Sequence, residues 1–286
     1  LRAVRFSAQL DFTIEEKTRA ALSEFAPRLW KVSAERIQTE LVKLLTSSHP
    51  EVFRVVWETG ISAVILPEFD ACMDTPQNNP HHCWSVGEHT LRALPFVEPD
   101  KVLRLAVLLH DIGKPPVRTT DERGIDHFYS HAQKGAEMAG GILRRLKFDN
   151  DTRKRVSRLV QVHDDLQIAA AQRSVRRAVY RIGADLFPDY LKVRRADIMA
   201  QNPDVRQEKL NELARIEEMY QKILEAQQCL SLKDLAVTGR DLIEAGMRPG
   251  PELGRTLNQL LELVIEHPEY NTKESLLERI IPPVSS

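Results

Sequence analysis

The sequence predicts an all-α fold, and three observations carry that prediction. Apolar residues recur at three- and four-residue intervals through most of the chain, the spacing that lines one face of a helix. Runs of β-branched residues with a period of two, the mark of half-buried strands, are essentially absent. Proline, glycine and polar clusters fall between the periodic segments rather than inside them.

Taken in chain order, helical periodicity covers residues 15–25 and 34–45, with Ser33 placed as the N-cap of the second segment. Segments 86–94 and 101–109 follow, and Asp100 stands where a capping carboxylate is expected. Segments 132–146 and 151–162 come next, then 189–200, where Asp189 is cast as a cap. Residues 207–224 and 254–265 complete the set. The breakers Pro67 and the polar stretch 74–80 close a first part, expected to span residues 1–70. A middle part spans 71–228 and holds seven of the nine histidines; a tail of 229–286 carries the Pro249-Gly250-Pro251 turn.

Composition narrows the functional classes. With 42% hydrophobic and 28% charged residues the chain reads as an ordinary soluble globular protein. A net charge of -1 gives no global basic field, so any nucleic-acid contact must come from local clusters. No apolar run approaches the roughly 18 residues of a membrane span and no signal-peptide pattern opens the chain, which makes a cytoplasmic location the expectation. Cys72, Cys83 and Cys229 show no C-x-x-C spacing, so reduced thiols are expected rather than a zinc-thiolate site. The chain opens on Leu1 rather than Met and reads as a fragment or processed form.

The strongest local signal is 108–115, Leu-Leu-His-Asp-Ile-Gly-Lys-Pro. An apolar helix ends in the adjacent His110 and Asp111, which Gly113 and Pro115 free from helical geometry, so both can turn towards one ion. His89 lies upstream on a helix of its own, and Asp197 downstream on a helix with an apolar face. His131 opens a helix and His163 closes one. Four imidazoles and two carboxylates suit one or two divalent ions, Mn, Fe, Co, Ni or Zn, or Mg. Such a set supports hydrolysis by metal-activated water, with Asp111 as the carboxylate able to bridge two ions. Lys114, Arg194 and Arg195 are candidates for contact with a substrate phosphate, and Asp111 with Lys114 for a catalytic role. His82 and Asp164 are candidate pocket residues, whereas His49 and His267 read as surface residues.

The order His89, His110-Asp111, Asp197 resembles the motif of the HD superfamily of metal-dependent phosphohydrolases, over roughly residues 79–200. That resemblance implies a binuclear-capable site, because His131 and His163 fall where binuclear members supply ligands to a second ion. The flanks carry a second resemblance. Residues 1–12, 14–18, 32–37 and 40–41, with 232–235, 238–243 and 249–254 in the tail, are similar to bacterial class II tRNA nucleotidyltransferases, the CCA-adding enzymes and their poly(A) polymerase relatives. It implies helical neck, body and tail segments around an HD domain, and tRNA as a partner of the flanks. It also implies a nucleotide-adding head that this chain lacks, so nucleotidyl transfer is not expected from it alone.

These grounds leave two functions in contention, since the intact ligand set argues against a third, a non-catalytic regulator that uses the metal site structurally. The main expectation is a phosphohydrolase acting on a phosphoester small molecule or an RNA end, of the 2′,3′-cyclic phosphodiesterase, 2′-nucleotidase or phosphatase type. The alternative is the RNA-binding C-terminal portion of a CCA-adding nucleotidyltransferase. Basic residues at 2, 5, 17 and 19 read, on the residues alone, as ordinary helix packing rather than an RNA-facing surface, whereas those at 173, 176, 177 and 181 suit a solvated face and an RNA groove about equally.

Overall fold

In a computed structural model of the protein the described residues are 1–79, 81, 83–164 and 168–280. Among them the chain is helical except for one hairpin of two short strands, β1 (Thr119–Thr120) and β2 (Asp126–His127), with Thr119 opposite His127. The Cα packing divides the chain into two units: Leu1–Asp165 with Asp189–Asn211, and Leu166–Pro188 with Glu212–Ser286.

The first unit opens with α1 (Arg2–Leu10) lying against α3 (Ala34–Leu45), burying Val4 and Ala8 on one side and Leu41, Leu44 and Leu45 on the other. Arg5 is nearly buried and its Nε stands 2.9 Å from Glu40 Oε2. Arg19, on α2 (Glu16–Phe25), donates to Glu58 at 2.6 Å. Two of the four cations of the N-terminal basic face are therefore held by partners within the fold. Short helices α4 (Phe53–Glu58), α5 (Ser62–Ile65) and α6 (Pro67–Met73) follow, pinned by an edge-on Phe53–Phe69 pair with ring centres 5.1 Å apart.

The middle of this unit is α8 (Lys101–Leu109), buried from Leu103 to its end. Its start is capped as expected, since Asp100 Oδ1 accepts from the backbone N–H of Val102 and Leu103. Around it pack α7 (Val86–Ala93), α3 and α11 (Asn150–Val162). The one-turn α9 (Lys114–Val117) leads into the hairpin, and α10 (His131–Arg145) then forms an antiparallel pair with α11. The turn between them takes Lys147 at φ 62 and uses Asp149 to cap α11 through Thr152 N–H.

Two caps differ from expectation. Ser33 occupies its N-cap position without a side-chain hydrogen bond. Asp189 is not a cap, because α13 (Phe187–Ala200) begins two residues earlier; its carboxylate instead accepts Arg155 Nη2 at 2.7 Å.

The second unit has its own core of Cys229, Leu235, Val237, Leu242, Leu260, Leu261, Val264, Ile265 and Leu276. These come mostly from α15 (Gly239–Glu244), α16 (Pro251–Glu266) and α17 (Lys273–Glu278). A Thr238–Asp241 capping box opens α15. Against α16 lies α12 (Gln172–Ile182), the helix whose arginines offered an RNA face in the sequence. Arg173 and Arg177 both clamp the Glu266 carboxylate, and buried Arg176 donates to the Ile265 carbonyl and to Gln228 Oε1. Three of these four cations hold the unit together.

Candidate metal centre

Five helices of the first unit bring the predicted residues together. His89 sits midway along α7, His110 at the C-terminal cap of α8 with Asp111 next to it, and His131 at the first position of α10. His163 caps the end of α11 and Asp197 lies on α13. His89, His110, Asp111, His163 and Asp197 are buried, and His131 is nearly so.

The four imidazoles share one device. His110, His131 and His163 each turn Nδ1 back to a carbonyl three residues earlier, on Val107 at 2.7 Å, Phe128 at 2.9 Å and Val160 at 2.7 Å. His89 Nδ1 faces the Ala200 carbonyl at 3.3 Å. A carbonyl only accepts, so each Nδ1 carries a proton and each Nε2 is the atom turned inward, that of His89 towards Asp197 Oδ1 at 3.0 Å.

Those Nε2 atoms converge on Asp111. Its Oδ2 lies 3.2 Å from His110 Nε2 and 3.9 Å from His89 Nε2; its Oδ1 lies 3.5 Å from His163 and 3.7 Å from His131. Asp197 Oδ1 joins the first side, 3.0 Å from His89 and 3.9 Å from His110. The donors thus form two groups sharing Asp111: His89, His110, Asp111, and Asp111, His131, His163.

This arrangement fits a divalent cation. His110 Nε2 and Asp111 Oδ1 are buried without a hydrogen bond, and unmet polar atoms of that kind are costly. His131 Nε2 and His163 Nε2 face each other at 3.4 Å, an unfavourable meeting of two lone pairs unless a cation or proton lies between them. Burial alone would lower the His110 value, but the Asp111 carboxylate beside it raises it. Asp111 is the counterpart: burial pushes it up, while His110 and Lys114 hold it well below the usual carboxylate range. His131 is lowered to about 4 by burial and by its neighbour His163. Nitrogen and oxygen donors in this proportion are those of first-row divalent ions, which compete with protons for them.

A glycine makes the approach possible. A Cβ on Gly113 would stand 2.2 Å from the His131 carbonyl oxygen and 2.4 Å from Gly135 N, so only glycine lets the turn after Asp111 touch the start of α10.

Cations and amides surround the donors. Lys114, a candidate for contact with a substrate phosphate, is buried; its Nζ stands 2.7 Å from Asp111 Oδ2 and 2.8 Å from Gln77 Oε1. Arg194 is buried too, donating to Asp164 Oδ1 at 3.0 Å, Asp197 Oδ2 at 3.3 Å and the His163 carbonyl at 3.4 Å. Arg195 and Asp164 are half-buried, and Asp164 Oδ2 lies 4.0 Å from His131 Nε2. His82 lies outside the described residues. Sequence reasoning passed over Gln201, whose Nε2 lies 3.1 Å from both Asp197 oxygens while its Oε1 accepts Lys209 Nζ at 2.6 Å. The signal was there, since Gln201 follows Asp197 by one helical turn. Gln77 carried no such signal.

Comparison with known proteins places the chain in a family. Residues 119–280 match the family described as "tRNA nucleotidyltransferase domain 2 putative", and residues 11–73 that described as "Probable RNA and SrmB- binding site of polymerase A". The chain belongs to the tRNA nucleotidyltransferase family. It is 35% identical to the CC-adding tRNA nucleotidyltransferase of Thermus thermophilus, over 96% of this chain and 63% of that protein. It is 33% identical to the A-adding tRNA nucleotidyltransferase of Deinococcus radiodurans, over 91% of this chain and 62% of that protein. The chain therefore spans somewhat under two thirds of the length of these relatives. Its fold matches the crystal structure of the Bacillus stearothermophilus CCA-adding enzyme in complex with CTP, with a TM-score of 0.61 and 20% identity, over 98% of this chain and 60% of that one.

These findings overturn the main functional expectation. A phosphohydrolase was read from the His and Asp residues, and the relatives are nucleotide-adding enzymes instead. The error has a physical source: a ligand set specifies which ions fit, whereas the reaction depends on the substrate surface around them.

Proposed function

We propose that this chain is the tRNA-binding helical portion of a nucleotidyltransferase. The observation that carries the reading is a row of cation–aromatic couples inside the segment matched to an RNA-binding family. Phe25 is 46% exposed with the Arg28 guanidinium 4.7 Å from its ring centre, and Trp30 is 73% exposed with Lys31 Nζ at 5.4 Å. Just before them Phe6 carries Arg2 at 5.4 Å, and Phe12 is 63% exposed. Exposed rings offer stacking faces to unpaired bases while the adjacent cations meet the backbone phosphates. Addition of nucleotides to the tRNA end belongs, on this reading, to the whole protein rather than to this portion.

The six-residue cluster is proposed to hold one or two divalent first-row ions. His89, His110, Asp111 and Asp197 would hold one, and Asp111, His131 and His163 the second. When bound, such ions supply positive charge that ties five helices together at one buried point. Lys114, Gln201 and Arg194 orient the carboxylates from outside that set. The cluster's role in this reading is to keep the RNA-binding portion folded.

Filter binding with a tRNA transcript tests the main proposal. Loss of a stacked base costs about 1–3 kcal/mol, so Phe25→Ala with Trp30→Ala should weaken binding about tenfold or more while leaving the melting temperature unchanged. Equal affinity for tRNA and for a DNA duplex of the same length, or no effect of the double substitution, would sink it.

A further inference from the structure

We propose that a cavity of about 560 Å³ behind α7 binds a nucleotide through stacking on Trp84 and phosphate contact to arginine. The cavity lies within the first unit, and none of its lining residues falls in 6–31, where tRNA contact is proposed. Its volume falls in the range of small-molecule sites.

The walls supply the two halves of that recognition. Trp84 and Phe96 line the cavity and remain 38% and 44% exposed. The Arg92 guanidinium lies 3.7 Å from the Trp84 ring centre, so one planar cation already stacks on the indole. A nucleobase extends such a stack without a geometric penalty, because guanidinium and indole planes are both base platforms.

The charge balance favours an anion. A single carboxylate, Glu88, accepts both Arg54 Nη2 at 2.5 Å and Arg92 Nε at 2.7 Å. It therefore faces two cations, and it takes only one nitrogen from each. Arg206, the third guanidinium of the lining, donates to a neutral acceptor, the Met199 carbonyl, at 3.2 Å. Glu51 is the other acid there, so three cations meet two anions and the donors of each fork are only partly used. An uncharged peptide would satisfy the aromatic walls but not the arginines; a nucleoside phosphate satisfies both.

The test is isothermal titration of the intact chain in EDTA, with AMP, adenosine and a 5′-phosphorylated single-stranded RNA pentamer as probes. The chain carries Trp30→Ala, so that a failure of the tRNA-binding proposal does not decide the result. Saturable binding of AMP supports the site with a free nucleotide as ligand. Saturable binding of the pentamer alone supports it with an unpaired RNA residue. In either case Trp84→Ala and Arg54→Ala should each weaken binding about tenfold or more, with circular dichroism showing both variants folded. Phe96→Ala, at a half-exposed ring, provides a further variant should Trp84→Ala unfold. No saturable binding of AMP or pentamer, adenosine binding as tightly as AMP, or affinity untouched by the substitutions overturns the proposal.

Discussion

If the buried cluster holds divalent ions, chelation and reloading should move the stability of the first unit by an amount that can be worked out. An ion bound only by the folded state stabilises by about 2.7 kcal/mol at a hundredfold excess over its dissociation constant. The unit formed by Leu1–Asp165 and Asp189–Asn211 is of a size at which each kcal/mol moves the melting temperature by about 2–4 °C. One ion should therefore raise the transition by roughly 5–11 °C, and a second should add to it. The assay is differential scanning calorimetry of chelated protein titrated with Mn, Fe, Co, Ni or Zn, with elemental analysis of the loaded samples. Asp111 faces both donor groups, so Asp111→Asn should abolish most of the shift. His131 belongs to one group alone, and His131→Ala should reduce two ions to one while keeping part of the shift. A melting temperature indifferent to all five ions would refute the reasoning, as would an Asp111→Asn chain that responds like the parent.

Three further outcomes follow from the packing. Gly113→Ala places a Cβ against backbone atoms that have nowhere to go, 2.2 Å from the His131 carbonyl and 2.4 Å from Gly135 N; it should destabilise by about 3 kcal/mol or more and reduce ion uptake, read by calorimetry and elemental analysis. Asp126, buried in the hairpin, is pulled down to about 2: burial would raise it, but the Asn78 N–H, Thr120 and Arg118 all favour the charged form. Its folded value lies below its unfolded one, so the stabilisation is complete above roughly pH 4 and is lost as pH falls through about 2; Asp126→Asn should cost about 1–2 kcal/mol at pH 7 and little at the acid end, measured by urea unfolding at both. In the second unit, Arg176→Met strands the Ile265 carbonyl and Gln228 Oε1 and should cost about 2–3 kcal/mol, while Arg177→Ala, on an exposed side chain, should leave stability little changed; equal losses in urea melts would count against the buried role of Arg176.

Much of the helical frame was legible because it is periodic. Segments 34–45 and 101–109 form helices over the expected residues, and 15–25 and 151–162 differ by one residue at the start. Helices α4, α5 and α6 are too short for a period to show and are held by tertiary contacts such as Phe53–Phe69. The hairpin at 119–127 was invisible for a similar reason: its strands are two residues long, and the buried Asp126 stabilises it rather than an alternation of apolar side chains. The cluster of His89, His110, Asp111, His131, His163 and Asp197 was readable from residue type and order, since His110 and Asp111 at a helix end announce it. Its outer ring was not. Gln77 meets Lys114 across 37 residues of chain, and no local pattern points from one to the other.

The arginines show why charge in a sequence is a poor guide to a nucleic-acid surface. On α12 the cations at 173, 176 and 177 look like a basic stripe, yet the fold directs them to Glu266, Ile265 and Gln228. On the short turn 26–31 only Arg28 and Lys31 are basic, but each sits beside an exposed ring. A cation already matched to a carboxylate has little field left for a phosphate; one resting on an aromatic face keeps its full charge and adds a stacking surface. By that criterion the weakly basic N-terminal segment is the stronger candidate for RNA contact and the strongly basic α12 the weaker one. The same distinction separates the cluster's ligands from its function. Asp111 and its four imidazoles gather donors that fit an ion by short-range geometry, while the proposed RNA contact rests on the exposed rings of Phe25 and Trp30, where the structure leaves apolar surface and unspent charge side by side.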